Sequence, residues 1–145
     1  MKTRKRAALI VLAMALILVP GAGRAPAAGA NSSPQRKLIA YYFHITQRCA
    51  TCLAIERQAK QAIQSAFPEE LKAKRVEWRP VNVEMDQNQH FIRDYRLVTS
   101  SLVLVQTEDG KPKTWKNMDK VWTLVKKKDA FSAYVQDGVR KLLEN

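Results

Sequence analysis

The chain has 145 residues, with 25 Lys and Arg against 13 Asp and Glu, a formal charge of +12 and a mean hydropathy of −0.32. That length holds one compact domain with a real core, not two. No recognised nucleic-acid motif accompanies the positive charge, so nucleic acid is excluded as the expected partner.

Lys2, Arg4, Lys5 and Arg6 make a cationic start, and Ala7 to Val19 is an unbroken apolar run of 13 residues. Pro20 and Gly21 break it, and small residues follow to Ala28-Gly29-Ala30. This layout predicts a secretory signal peptide over residues 1–30, cut after Ala30 or Ala27. A spanning helix wants about 20 apolar residues, so an uncleaved segment is the only membrane contact to expect, if there is any. Five of the basic residues and none of the acidic ones precede residue 31, which leaves the rest of the chain at +7. The surplus charge sits mostly at Lys111, Lys113, Lys116, Lys120 and Lys126-Lys127-Lys128, read as a solvated basic face. Residues 31–36 read as a disordered lead-in and residues 37–145 as the domain. The expected location is periplasmic or otherwise extracytoplasmic, where cysteines meet oxidising conditions.

Lys37 to Phe43 is rich in strand formers and predicts the first strand; Ala50 to Phe67 predicts the first helix, its apolar residues recurring at helical spacing. Pro68 disturbs that helix, and Glu69-Glu70-Leu71 adds a turn. A second strand follows at Val76 to Val83, placed at a sheet edge or bulge because Pro80 has no N–H to give. Asp86 with Gln89 has the spacing of a capping box, opening a short helix to about Tyr95 that buries Phe91 and Tyr95. Ser101 to Val105 is continuously apolar after its serine and reads as a central strand. Glu108-Asp109-Gly110-Lys111 turns the chain back through a strand at Thr114 to Lys116. Helical pieces at Asp119 to Lys126 and Ala130 to Leu143 end the domain, the second with Asp129 as N-cap. The order is β-α-β-α-β-β-α, an α/β fold with a four-stranded mixed sheet flanked by helices. Trp78, Trp115 and Trp122 read as core or flank packing, and His90 as a surface residue.

The two cysteines of the chain, Cys49 and Cys52, sit where the first strand gives way to the first helix. That is the setting for reversible dithiol/disulfide chemistry. A helix N-terminus stabilises a thiolate at Cys49, and Arg48 adds a positive charge beside it. Cys49 is therefore the expected nucleophile, and Cys52, one turn further in, the resolving thiol. His44, at the end of the first strand, is placed to tune Cys49 or simply to stand half-exposed. Thr51 and Ser101 are expected to line the site. Two other readings stay open. The pair could be a structural disulfide in a binding module, or the two thiols could hold zinc or copper(I), as a metal chaperone would. The dithiol reading itself calls for no bound cofactor and no resident metal.

From Leu38 to Leu143 the chain resembles the thioredoxin superfamily, in the order of its elements and the place of Cys49-Ala50-Thr51-Cys52. More narrowly it resembles exported bacterial thioredoxin-like proteins named after a nitrophenyl compound nitroreductase subunit. The matching stretches are Tyr41-Tyr42-Phe43-His44, Arg48 to Cys52, His90-Phe91, Ser101 to Val105 and Trp115-Lys116-Asn117. The resemblance implies the thioredoxin-like fold and disulfide exchange with another exported protein through a transient mixed disulfide. It brings no flavin or nicotinamide site. Arg48 stands where thioredoxins carry an aromatic residue, and Ala50-Thr51 where they carry Gly-Pro. Ser101, or Ser100 by a shift of one, stands at their cis-proline. The first strand has Tyr42 or Phe43 at the place of their buried Asp.

Overall fold

The computed structural model describes residues 35–144. The expected signal segment and the lead-in up to residue 34 lie outside them. Gln35 is already tied in: its N–H donates to Asp109 Oδ1 at 3.1 Å, and its carbonyl accepts the Asp109 N–H at 3.2 Å.

The elements are β1 (Arg36–His44), α1 (Ala50–Ala66), α2 (Pro68–Lys72), β2 (Val76–Asn82), a 3-10 turn (Asp86–Asn88), α3 (His90–Asp94), β3 (Ser101–Glu108), β4 (Lys111–Asn117), α4 (Val121–Leu124) and α5 (Lys128–Glu144). They form a four-stranded mixed sheet in the order β2-β1-β3-β4. β1 runs parallel to β2 and antiparallel to β3, and β3 antiparallel to β4. β2 lies at the edge that Pro80 demands, and β3 is interior, as its apolar run requires. Asp109 and Gly110 both have positive φ, 50° and 79°, the backbone of a tight primed hairpin turn.

Side chains alternate across the sheet. Leu38, Ala40 and Tyr42 of β1, with Leu102 and Leu104 of β3, pack with Ile55, Ala59 and Ile63 of α1 and Phe131, Val135 and Val139 of α5. Ile39, Tyr41, Phe43, Val103 and Val105 form a second cluster with Val83 and Tyr95, and Phe91 and Leu97 pack against it. Tyr41, Phe43, Phe91 and Tyr95 make a knot of rings with centroids 5.2–6.1 Å apart. Trp78 and Trp122 pack on the first cluster, while Trp115 meets Tyr95 edge-on at 5.6 Å and stays partly exposed.

Two expected helix starts differ from what forms. Asp129 is not an N-cap but the second residue of α5. The preceding turn is already wound, with the Lys127 N–H bonded to the Leu124 carbonyl and the Phe131 N–H to the Lys127 carbonyl. Asp129 instead brings negative charge into the first turn, where the helix dipole favours it. Asp86 likewise lies inside the 3-10 turn, which Met85 precedes. Gln89 does reach back, but to the Asp86 carboxylate at 3.3 Å rather than to a backbone N–H.

Candidate functional site

Cys49 and Cys52 are joined in a disulfide, with Cα atoms 5.1 Å apart. Cys49 occupies the N-cap of α1 in extended conformation (φ −76°, ψ 159°), so its side chain sits outside the helix barrel and over the first turn. Its Sγ accepts the Cys52 N–H at 3.1 Å. A sulfur in the N-cap position is an unusual acceptor, and the same N–H would stabilise a thiolate once the bond is reduced. No acidic residue occupies the first turn of α1 to oppose that charge. Cys49 is exposed and Cys52 half-buried, an asymmetry that gives an incoming group access to one sulfur first.

Beneath the pair, β1 supplies Tyr42, which is fully buried. Its hydroxyl donates to the Cys52 carbonyl at 2.7 Å, anchoring the first turn of α1 to the sheet. Burial pushes the Tyr42 phenol above its usual range against the opposing pull of Arg48, so it stays a donor at neutral pH. Its ring stacks on Trp78 and on His44, at 6.3 and 6.4 Å. The Arg48 guanidinium carbon lies 5.7 Å from the same ring centre, and Arg48 Nη2 is paired with Glu56 Oε2.

In front of the disulfide lies an open cavity of about 400 Å³, walled by Phe43, Ile45, Val83, Ile92, Leu97 and Val98. Ile45 (45% exposed), Ile92 (43%) and Val98 (95%) leave much of that apolar surface in water. Polar groups on its rim come from His44, Gln47, Thr99 and Ser100. His44 Nδ1 lies 3.0 Å from the Ile45 carbonyl, which places the proton of the neutral ring on Nδ1.

The residues singled out from sequence are thus only partly brought together. Cys49, Cys52 and His44 line the cavity. Arg48 is turned instead onto Tyr42 and Glu56, and Thr51 is exposed in the first turn of α1 away from the cavity lining. Ser101 is buried in β3 opposite Phe43, its hydroxyl donating to the Thr99 carbonyl at 2.9 Å, and Ser100 takes the rim. All described peptide bonds are trans. Among the described residues no three His, Cys, Asp or Glu side chains converge as metal ligands. Glu56 and the apolar wall at Ile45, Ile92 and Val98 were missed. Glu56 had a signal, since it follows Cys52 by four residues and so shares its face of α1.

The loop before Cys49 is held from the last residue of β2 and the turn that follows it. Glu84 Oε2 accepts the Thr46 N–H at 2.8 Å, and Asn82 Nδ2 donates to Thr46 Oγ1 at 2.9 Å. The Thr46 hydrogen bonds hold the Glu84 carboxyl below its ordinary range. A depressed carboxyl anchors the loop above the ordinary carboxylate range and releases it as pH falls through the folded value. In an NMR titration the Thr46 amide resonance is expected to move only as pH falls below the ordinary carboxylate range, and to stay still in Glu84→Gln. An unmoved resonance in the wild type would remove Glu84 as the anchor.

No family model matches the sequence, and no curated protein matches it significantly. Solved structures similar to it include two thioredoxins. Thioredoxin of Fasciola hepatica is 21% identical with a TM-score of 0.37, covering 68% of this chain and 81% of that one. Thioredoxin-2 of the malaria parasite, described as a component of its protein secretion machinery, is 17% identical with a TM-score of 0.36, covering 63% and 84%. The fold is thioredoxin-like. The strand order β2-β1-β3-β4, with β1 and β2 parallel across α1 and a β3–β4 hairpin, is the thioredoxin-like arrangement. Within that fold Cys49 caps the helix that follows the first strand.

Proposed function

We propose that the protein is an exported thiol-disulfide oxidoreductase that exchanges the Cys49–Cys52 disulfide with a partner protein. The observation that carries the reading is the asymmetric pair at a helix N-terminus: an exposed Cys49 sulfur already accepting a backbone N–H, and a half-buried Cys52 behind it. The open apolar cavity beside the sulfurs suits an extended partner segment with apolar side chains near its own cysteine. Export rests on the apolar N-terminal segment, and the narrower kinship with the nitroreductase-named group rests on the matching sequence stretches alone.

The exchange needs only the two sulfurs. In the reduced protein the Cys49 thiolate attacks one sulfur of the partner disulfide. The new Cys49–partner bond forms as the partner S–S bond breaks, and the released thiolate takes up a proton. Cys52, deprotonated, then attacks the Cys49 sulfur, which closes the intramolecular disulfide and frees the second partner thiolate. Two electrons have passed to the partner. From the oxidised form the same steps run in reverse and oxidise a partner dithiol.

Equilibrating the metal-free protein with glutathione buffers tests this. A potential between about −120 and −270 mV is expected for a working dithiol, and its position in that range gives the direction of transfer. A value below about −300 mV with little thiol reactivity would overturn the reading and leave a structural disulfide in a binding module. Stoichiometric zinc or copper(I) uptake by the reduced protein, with no exchange, would replace it with a metal chaperone.

A further inference from the structure

Arg48 directly precedes the nucleophile, yet its charge does not stand alone beside it. Its Nη2 is paired with Glu56 Oε2 in the second turn of α1, and only 22% and 20% of the two side chains are exposed. The guanidinium also sits 5.7 Å from the ring centre of Tyr42, whose hydroxyl holds the Cys52 carbonyl. A guanidinium between a carboxylate and a ring face has two attractive partners, both on the side of α1 and β1. Its Nε is buried with no protein partner among the described residues. That leaves a desolvated cation whose placement depends on the groups around it.

We infer that Glu56 is a positioning residue for the dithiol: it fixes the Arg48 guanidinium on the Tyr42 ring and offsets its charge, and so keeps the Cys49 thiolate less favoured than Arg48 alone would make it. The inference rests on Cys49 being the attacking thiol. It deepens that reading by naming the residue that sets the thiolate population, and through it the redox poise. A more stable thiolate favours the reduced form, so loss of Glu56 moves the protein toward a stronger oxidant.

The size of the effect follows from Coulomb's law. Glu56 lies seven residues along from Cys49, about 10 Å of helix rise. Removing one charge at that distance, at dielectric values between that of water and half of it, changes the thiolate-to-thiol ratio by about two- to fourfold. Release of Arg48 toward the sulfur adds to this in the same direction.

The test is a pH titration of the Cys49 thiolate by its ultraviolet absorbance, in the full chain carrying Cys52→Ser so that a single thiol reports. Glu56→Gln is expected to raise the thiolate-to-thiol ratio beyond the about two- to fourfold of the charge alone. Glu56→Asp keeps the charge but shortens the reach to Arg48, and is expected to raise the ratio as well, by less. With Arg48→Gln present, the Glu56→Gln effect should fall back to the about two- to fourfold of the charge alone. An unchanged or lowered ratio in Glu56→Gln would overturn the inference. So would a Glu56→Asp protein that titrates like its parent, or an equal Glu56→Gln effect with and without Arg48, because each leaves Glu56 a plain distant charge. Should Glu56→Gln fail to fold, Glu56→Asp and Arg48→Gln carry the test. The titration reads ionisation and not exchange, so a chain that exchanges no disulfide can still show Glu56 control, and an active exchanger can lack it.

Discussion

Replacing Cys52 with Ser is expected to stop turnover while leaving a covalent adduct on Cys49, whereas replacing Cys49 with Ser is expected to stop both. The reason lies in the two environments. Cys49 is exposed, caps α1 and has the Cys52 N–H aimed at its sulfur. Cys52 is half-buried one turn deeper, with its carbonyl tied to Tyr42. Oxidised glutathione meets the Cys49 sulfur first, and with a Ser at position 52 nothing within the chain can displace the mixed disulfide. Mass spectrometry should therefore find one glutathione per chain in Cys52→Ser and none in Cys49→Ser, with exchange in both at the uncatalysed rate. A glutathione adduct on Cys52 of the Cys49→Ser protein, formed as fast as the Cys49 adduct, would reverse the roles. Equal inertness of both variants would remove exchange chemistry altogether.

Much of this was legible in the chain because the decisive signals are local. The apolar run at Ser101 to Val105 marks an interior strand, Pro80 marks an edge, and Asp109-Gly110 marks a hairpin; each rule concerns a few neighbouring residues. The placing of Cys49 at the head of α1 is of the same kind. What sequence could not supply is where long side chains finish. Arg48 adjoins Cys49 in sequence, but its guanidinium is drawn to Glu56 and Tyr42, eight residues ahead and six behind. The cavity wall has the same character, joining Ile45, Val83, Ile92 and Val98 from separate segments. Helix ends failed for a different reason. Asp86 and Asp129 both look like caps, but each lies inside its turn: an extended Met85 is the residue that precedes the 3-10 turn, and the turn ahead of Lys128 is already wound.

Phe131→Ala is expected to cost about 3–5 kcal/mol of folding stability while leaving the disulfide untouched. Phe131 is fully buried, and it shares one face of α5 with Val135, Gly138 and Val139 at helical spacing. That face lies close to its neighbours: a Cβ built on Gly138 would fall 2.5 Å from Met118 Cε and 3.1 Å from Leu104 Cδ1. A helix seated that tightly cannot move in to refill the space a phenyl ring leaves, which is the condition for a large cavity penalty. Two side-chain ties restrain it further, Gln136 Nε2 to the Ala62 carbonyl at 3.1 Å and Gln106 Nε2 to the Leu142 carbonyl at 2.8 Å. Against a typical domain stability of about 5–15 kcal/mol, the loss should lower the thermal midpoint by more than about 10 °C. Urea and thermal unfolding of the oxidised protein measure it. A loss under about 1 kcal/mol would mean that α5 relaxes into the cavity. The helix that backs α1 would then be a movable flank of the disulfide and not the rigid support its packing describes.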